Sequence, residues 1–279
     1  MAVIAVVFDF DDTLLPDSTT ALLLSHGIDT TQFWTEKAPG LVARGYDPPM
    51  AYLRLMLDLV GEGQPLGPLS NAALRDFGAT LDSTFFRGIP EVFDDLRALA
   101  SRDISVEFYI VSSGLYEVIM GSSIVKEHFS GVYACHLDEE DGVLRHVKRC
   151  VTFTEKTRFL FEINKGIEPA HSDTNPGLVN ADVAAADRRV PFENMIYAGD
   201  GLTDIPCFSL VSKNGGTAFG IFEPGKVRSA KKAFQEFLKA GRVVSSHAPR
   251  FGSEDELGAL LRAAVSSRVT ALAVRRGSV

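Results

Sequence analysis

The stretch Val3-Ile4-Ala5-Val6-Val7-Phe8-Asp9-Phe10-Asp11-Asp12-Thr13 decides how this chain is read. An unbroken apolar run from residue 3 to residue 8 indicates a strand buried on both faces, as in a parallel sheet. The acids that follow then stand at the strand's carboxyl end, the edge at which open α/β sheets bind ligands. Strand alternation aims Asp9 and Asp11 the same way if the backbone stays extended. Two carboxylates held close repel each other, so burying both requires a cation or a shared proton. The competing interpretation is a solvated acidic turn.

Working outward, shorter apolar runs recur at 106–111, 195–198 and 217–222, with helical patterns between them. Residues 90–100 open with a proline in the first turn and put Val92, Phe93, Leu96 and Leu99 on one face. Strands alternating with helices predict an α/β domain with a mainly parallel, Rossmann-like sheet. Residues 16–87 break the alternation. Leu53, Met56, Leu57 and Val60 keep helical spacing, a breaker follows at 61–68, and a second helical pattern runs through Phe77. The chain therefore divides into an α/β core (1–15 and 88–279) and a helical cap (16–87) inserted after the first strand. Asp141-Gly142 between the β-like segments 132–137 and 143–151 predicts a small β-hairpin extension. Residues 165–189 read as a loop with a short alanine-rich helix, and from residue 253 an amphipathic helix runs to Arg275-Arg276.

Composition narrows the function classes. Apolar residues make up 46% and charged residues 23%, which fits a chain with a real core rather than a disordered one. The formal net charge of −8 disfavours nucleic acid and anionic membrane as partners. Cys135, Cys150 and Cys207 form no CxxC pair and leave one over in any pairing, which predicts a reducing, cytoplasmic setting. No leader is expected in the first residues, nor any stretch of membrane-spanning length.

A second acidic turn repeats the device of the first. Met195-Ile196-Tyr197-Ala198 runs into Gly199-Asp200-Gly201-Leu202-Thr203-Asp204, where glycines flanking an acid let backbone approach a ligand closely. Asp204 is equally readable as an acid at a helix start. Asp9, Asp11 and Asp200 together offer hard oxygen ligands, which suit Mg²⁺ rather than zinc. Phe108-Tyr109-Ile110-Val111 leads into Ser112-Ser113-Gly114, placing a hydroxyl and free N–H groups where a strand ends and a helix starts. A serine N-cap explains Ser112 as well. Lys156 stands near the start of a predicted helix, where a cation opposes the helix dipole, although surface lysines are common.

In this order and spacing the four elements resemble the motifs of the haloacid dehalogenase superfamily, on its phosphatase branch: Asp9-x-Asp11-x-Thr13, Ser112, Lys156, and Gly199-Asp200-Gly201-x-x-Asp204. The resemblance implies a phosphatase for a small phosphorylated metabolite. Asp9 becomes the nucleophile and Asp11 the general acid and base. Ser112 and Lys156 hold the phosphate, with Thr13, Ser113 and Gly114 beside it. Mg²⁺ is bound by Asp9, Asp11 and Asp200, with Asp204 supporting its shell. The cap resembles that of the phosphoserine-phosphatase-like branch, but the acid that recognises a substrate amine there falls on Ser18, next to Asp17. Those two residues also read as a helix N-cap, and Arg54 with Asp58 as an i,i+4 surface pair. Phe33, Trp34 and Tyr52 read as the cap's own small core. The competing class is a non-catalytic phosphate-binding or phosphate-accepting, receiver-like regulatory protein.

Overall fold

The structure, a computed structural model, describes residues 1–275, so Arg276 of the expected basic end lies outside the described residues. Seven strands form one sheet: β1 (Ala2–Phe8), β2 (Ile104–Leu115), β3 (Gly131–Glu140), β4 (Val143–Arg149), β5 (Met195–Gly199), β6 (Thr217–Ile221) and β7 (Ser245–His247). Their order is β4-β3-β2-β1-β5-β6-β7, and every pairing is parallel except β3 with β4. The Rossmann-like α/β expectation is met.

Among the described residues, thirteen α-helices surround the sheet. Between β1 and β2 lie α1 (Ser18–Ser25), α2 (Thr30–Gln32), α3 (Ala38–Val42), α4 (Pro48–Leu57), α5 (Asn71–Ala79) and α6 (Glu91–Ala98). Next come α7 (Tyr116–Gly121), α8 (Ser123–His128), α9 (Phe153–Lys165) and α10 (Pro169–Thr174). The last three are α11 (Ile205–Lys213), α12 (Val227–Lys232) and α13 (Glu256–Arg275). Residues 16–87 hold helices and turns with no strand of the sheet.

Alternation along the strands distributes the aromatic core. Phe8 meets Phe93 of α6 and Phe251 edge-on at 6.1 and 6.2 Å. Tyr197 is in register with Val7, so it faces the other side, where it meets Phe208 of α11 at 5.6 Å. Helices α6 and α13 thus cover one face, and α9 and α11 pack together on the other.

Two expectations change, and two features of the sheet had no counterpart in the sequence reading. The expected hairpin forms through Asp141 (φ 51°) and Gly142 (φ 75°) into β4, and its first strand, β3, also continues the parallel sheet from β2. Strand β2 does not stop at Val111 but runs through Ser112-Ser113-Gly114 to Leu115. Strand β7, three residues long, had no legible pattern. Finally, α13 is 20 residues long and holds an 18-residue stretch with a mean hydropathy of 1.4, so by length and composition it does reach what a membrane crossing needs. Its buried residues Leu257, Leu261 and Val265 face the protein, where α13 packs on α6 and β1. Its exposed side carries Leu260 and Val274 beside the arginines, so the two faces contrast less than an amphipathic helix predicts.

Candidate active site

The sheet order reverses at β1: the chain moves outward through β2, β3 and β4, then returns to β5 on the opposite flank. At such a switch point the loops after neighbouring strands part and leave a crevice. Asp9 follows β1 and Asp200 follows β5. Asp9, Asp200 and Asp204 can bring one carboxylate oxygen each within 4.8 Å of one another.

Local backbone geometry sets up this meeting. The Asp9 N–H extends the sheet by donating to the Ala198 carbonyl at 2.9 Å, and Asp9 Oδ1 accepts from the Phe10 N–H at 2.8 Å. That leaves Oδ2 for Lys156, whose Nζ lies 3.0 Å away. Lys156 also reaches Asp204 Oδ1 at 2.7 Å and is fully buried. It projects from the first turn of α9, so the surface-lysine reading fails. Burial works against its ammonium, but Asp204 and Asp9 outweigh that and raise its pKa above the ordinary lysine range.

Asp204 is held from three sides. Tyr197 Oη donates to its Oδ1 at 2.7 Å and the Gly201 N–H to its Oδ2 at 2.8 Å, in addition to Lys156. Glycine is required at 199 because a Cβ there would stand 2.5 Å from Asp204 Oδ2. Asp200 receives Lys232 of α12, with Nζ 3.2 Å from Oδ2. Even so, burial pushes the Asp9 carboxyl up to about 7, with Asp204 adding to the shift. Burial likewise pushes Asp200 up to about 7.

Asp11 departs from the extended picture. The strand ends at Phe8, and Asp12 takes a left-handed φ of 54°, so the 9-to-11 alternation does not persist. Asp11 Oδ1 accepts from the Ser18 N–H at 2.7 Å, and its carboxylate is not among the three that gather as Asp9, Asp200 and Asp204. It meets the second motif instead: a Cβ on Gly114 would lie 2.5 Å from Asp11 Oδ2 and 3.2 Å from Ser112 Oγ. Burial raises the Asp11 carboxyl well above the usual carboxylate range, with Asp17 contributing.

Ser112 is buried, and its Oγ accepts from the Gly114 N–H at 3.0 Å, so that N–H is not free as expected. The hydroxyls of Thr13 and Ser113 are buried without a hydrogen-bond partner. Above them, Tyr52 of α4 donates from Oη to the Ser113 carbonyl at 2.5 Å, tying the helical segment to the second motif. Asp17 caps α1 through the Thr20 N–H at 2.5 Å, and Arg54 pairs with Asp58 at 2.8 Å. Sequence reasoning missed Tyr197 and Lys232. A tyrosine inside a buried strand was the available signal for the first, since a buried phenol needs a partner.

Among solved structures the chain is similar to a probable phosphoserine phosphatase from Vibrio cholerae, with a TM-score of 0.53 and 15% identity over 96% of this chain. The chain spans 66% of that protein's length. It is also similar to a phosphoserine phosphatase from T. onnurineus, with a TM-score of 0.50 and 13% identity over 94% of this chain and 95% of that one. A cytosolic 5′-nucleotidase IIIB gives a TM-score of 0.51 and 13% identity over 96% of this chain and 87% of that one. The chain shares its fold with these phosphatases and this nucleotidase. No family model matches the sequence. An uncharacterized protein of Borreliella burgdorferi is 31% identical over 264 residues, covering 84% of this chain and 88% of its own length. The chain belongs to one family with that protein.

Proposed function

We propose that this protein is a Mg²⁺-dependent phosphatase that hydrolyses a small phosphomonoester through an aspartyl-phosphate on Asp9. The observation that carries the reading is the buried Lys156 bridging Asp9 and Asp204 beside Asp200, at the switch point of the sheet.

A phosphate dianion nearing a carboxylate at about 4 Å is opposed by roughly 8 kcal/mol at an effective dielectric near 20. Positive charge must therefore converge on the site, and Lys156 supplies part of it. The donor set fits a hard divalent ion: three carboxylates stand together, and burial pushes two of them up to about 7 although Lys156 and Lys232 face them. Asp9 and Asp200 would hold Mg²⁺, with Asp204 behind them fixed by Lys156, Tyr197 and Gly201. When bound, the ion supplies positive charge to the transferring phosphoryl oxygens.

The chain's own residues then divide the work. Asp9 Oδ attacks phosphorus in line as the bond to the leaving oxygen breaks. Asp11, whose carboxyl burial raises well above the usual carboxylate range, gives its proton to the departing alkoxide. It later takes a proton from the water that cleaves the aspartyl-phosphate. Ser18 fixes one Asp11 oxygen and leaves the other beside Ser112. Ser112 keeps its own O–H to donate, and the unpartnered hydroxyls of Thr13 and Ser113 add donors in the same two segments. The Tyr52 link lets the helical segment shield the first step from water. Asp17 is committed to capping α1, which argues against an aminated substrate such as phosphoserine. Three unpaired cysteines are in keeping with a reducing cytoplasm.

Phosphate release from p-nitrophenyl phosphate tests the reading. Turnover is expected with Mg²⁺ and is lost with EDTA or in Asp9→Asn. Full activity in that variant would remove Asp9 as nucleophile. A panel of phosphoserine, phosphocholine and sugar phosphates then sorts substrates.

A further inference from the structure

One charged feature beside the acids extends beyond the Lys232–Asp200 pair. Although the chain carries a net charge of −8, residues 226–232 hold Lys226, Arg228, Lys231 and Lys232 and no acid. On α12, Arg228 stands i,i+3 from Lys231 and i,i+4 from Lys232, spacings at which like charges repel. Arg228 also lies in the helix's first turn, where a cation opposes the dipole. The arrangement therefore costs helix stability.

Two of the four bases are matched. Lys226 Nζ lies 2.6 Å from Glu223 and Lys232 Nζ 3.2 Å from Asp200. Arg228 and Lys231 are exposed and have no carboxylate partner among the described residues. Both line a cavity of about 810 Å³ whose wall includes Asp200 and Asp12. The remaining acids of that wall are Glu223, paired with Lys226, and Glu236, 3.8 Å from Arg242. A volume of this size suits a small molecule. Arg228 and Lys231 leave two positive charges on α12 against the one negative charge of Asp12, and Asp200 of the acid cluster stands in the same wall.

We propose that the substrate carries a second anionic group, a phosphate or a carboxylate, which Arg228 and Lys231 hold while the scissile phosphate faces Asp9. This rests on the phosphatase reading and narrows its substrate class to dianchored phosphomonoesters. Arg228 offers a planar fork and Lys231 a mobile point charge, a pairing that fits either oxyanion.

Isothermal titration calorimetry of the full chain with Mg²⁺ tests it, using propane-1,3-bisphosphonate and propylphosphonate as probes. The bisphosphonate is expected to bind at least about tenfold tighter, beyond the twofold its two equivalent ends give by statistics. The double variant Arg228→Gln/Lys231→Gln should abolish that preference and leave the monophosphonate Kd within about twofold, because both side chains are exposed and outside the acid cluster. Equal binding of the two probes by the unaltered protein, or a preference that survives the double substitution, overturns the proposal. A preference without phosphate release from any phosphomonoester keeps the subsite and rejects the phosphatase. Hydrolysis of propyl phosphate without a preference does the reverse.

Discussion

Lys156 Nζ lies 3.0 Å from Asp9 Oδ2 with no solvent access to the lysine. An ammonium so placed holds the Asp9 carboxylate's orientation and offsets its charge. It also ties β1 to α9 and, through Asp204, to the turn after β5. Removing it leaves two buried carboxylates facing each other. Lys156→Met should therefore lose about 3–5 kcal/mol in urea unfolding as well as turnover. A variant with unchanged stability would show that the pair is not buried in solution.

Asp11 is expected to act in both half-reactions, so its loss has a distinctive signature. Asp11→Asn should slow hydrolysis by about 10²–10⁴-fold. Acid quenching after mixing with ³²P-labelled substrate should still trap label on the protein, since Asp9 remains. Normal turnover by this variant would assign the proton transfers elsewhere.

The raised carboxyls give a pH dependence of definite sign. Asp9 and Asp200 move from an ordinary value of 3.8 to about 7 on folding, so the folded chain binds protons that the unfolded chain releases. Their contribution to stability is complete below pH 3.8 and is lost as pH rises through about 7. Mg²⁺ requires the ionised forms, so it should raise the thermal midpoint more at about pH 8 than at about pH 5.5. Asp200→Asn should shrink that difference. Equal increments at the two pH values would contradict the site.

Tyr52 reaches across from α4 to the Ser113 carbonyl, which also accepts from Cys135 Sγ at 3.2 Å. Because the carbonyl keeps that second donor, Tyr52→Phe should cost only about 1 kcal/mol in denaturant unfolding. A much larger loss would mean that the phenol supports the helical segment in other ways.

Much of the fold is legible because strands β1, β5 and β6 are continuous apolar runs and turn residues mark their ends. Asp141-Gly142 announced its hairpin through the positive φ that both positions adopt. The membership of β3 in the main sheet was hidden, since pairing with β2 is a long-range choice that no local pattern records. The helix α13 was underrated because alanines and valines scattered around it blur its periodicity.

The sequence by itself determined that acids close two buried strands and that a serine and a lysine follow in order, because such placements depend on local backbone preference and chain order. Only the tertiary structure decided that Lys156 is buried between Asp9 and Asp204, that Asp11 turns to Ser18 and Gly114, and that Tyr197 and Lys232 join the cluster. Those outcomes depend on distances between segments up to about two hundred residues apart in sequence, set by parallel strand order and helix packing rather than by any neighbour along the chain.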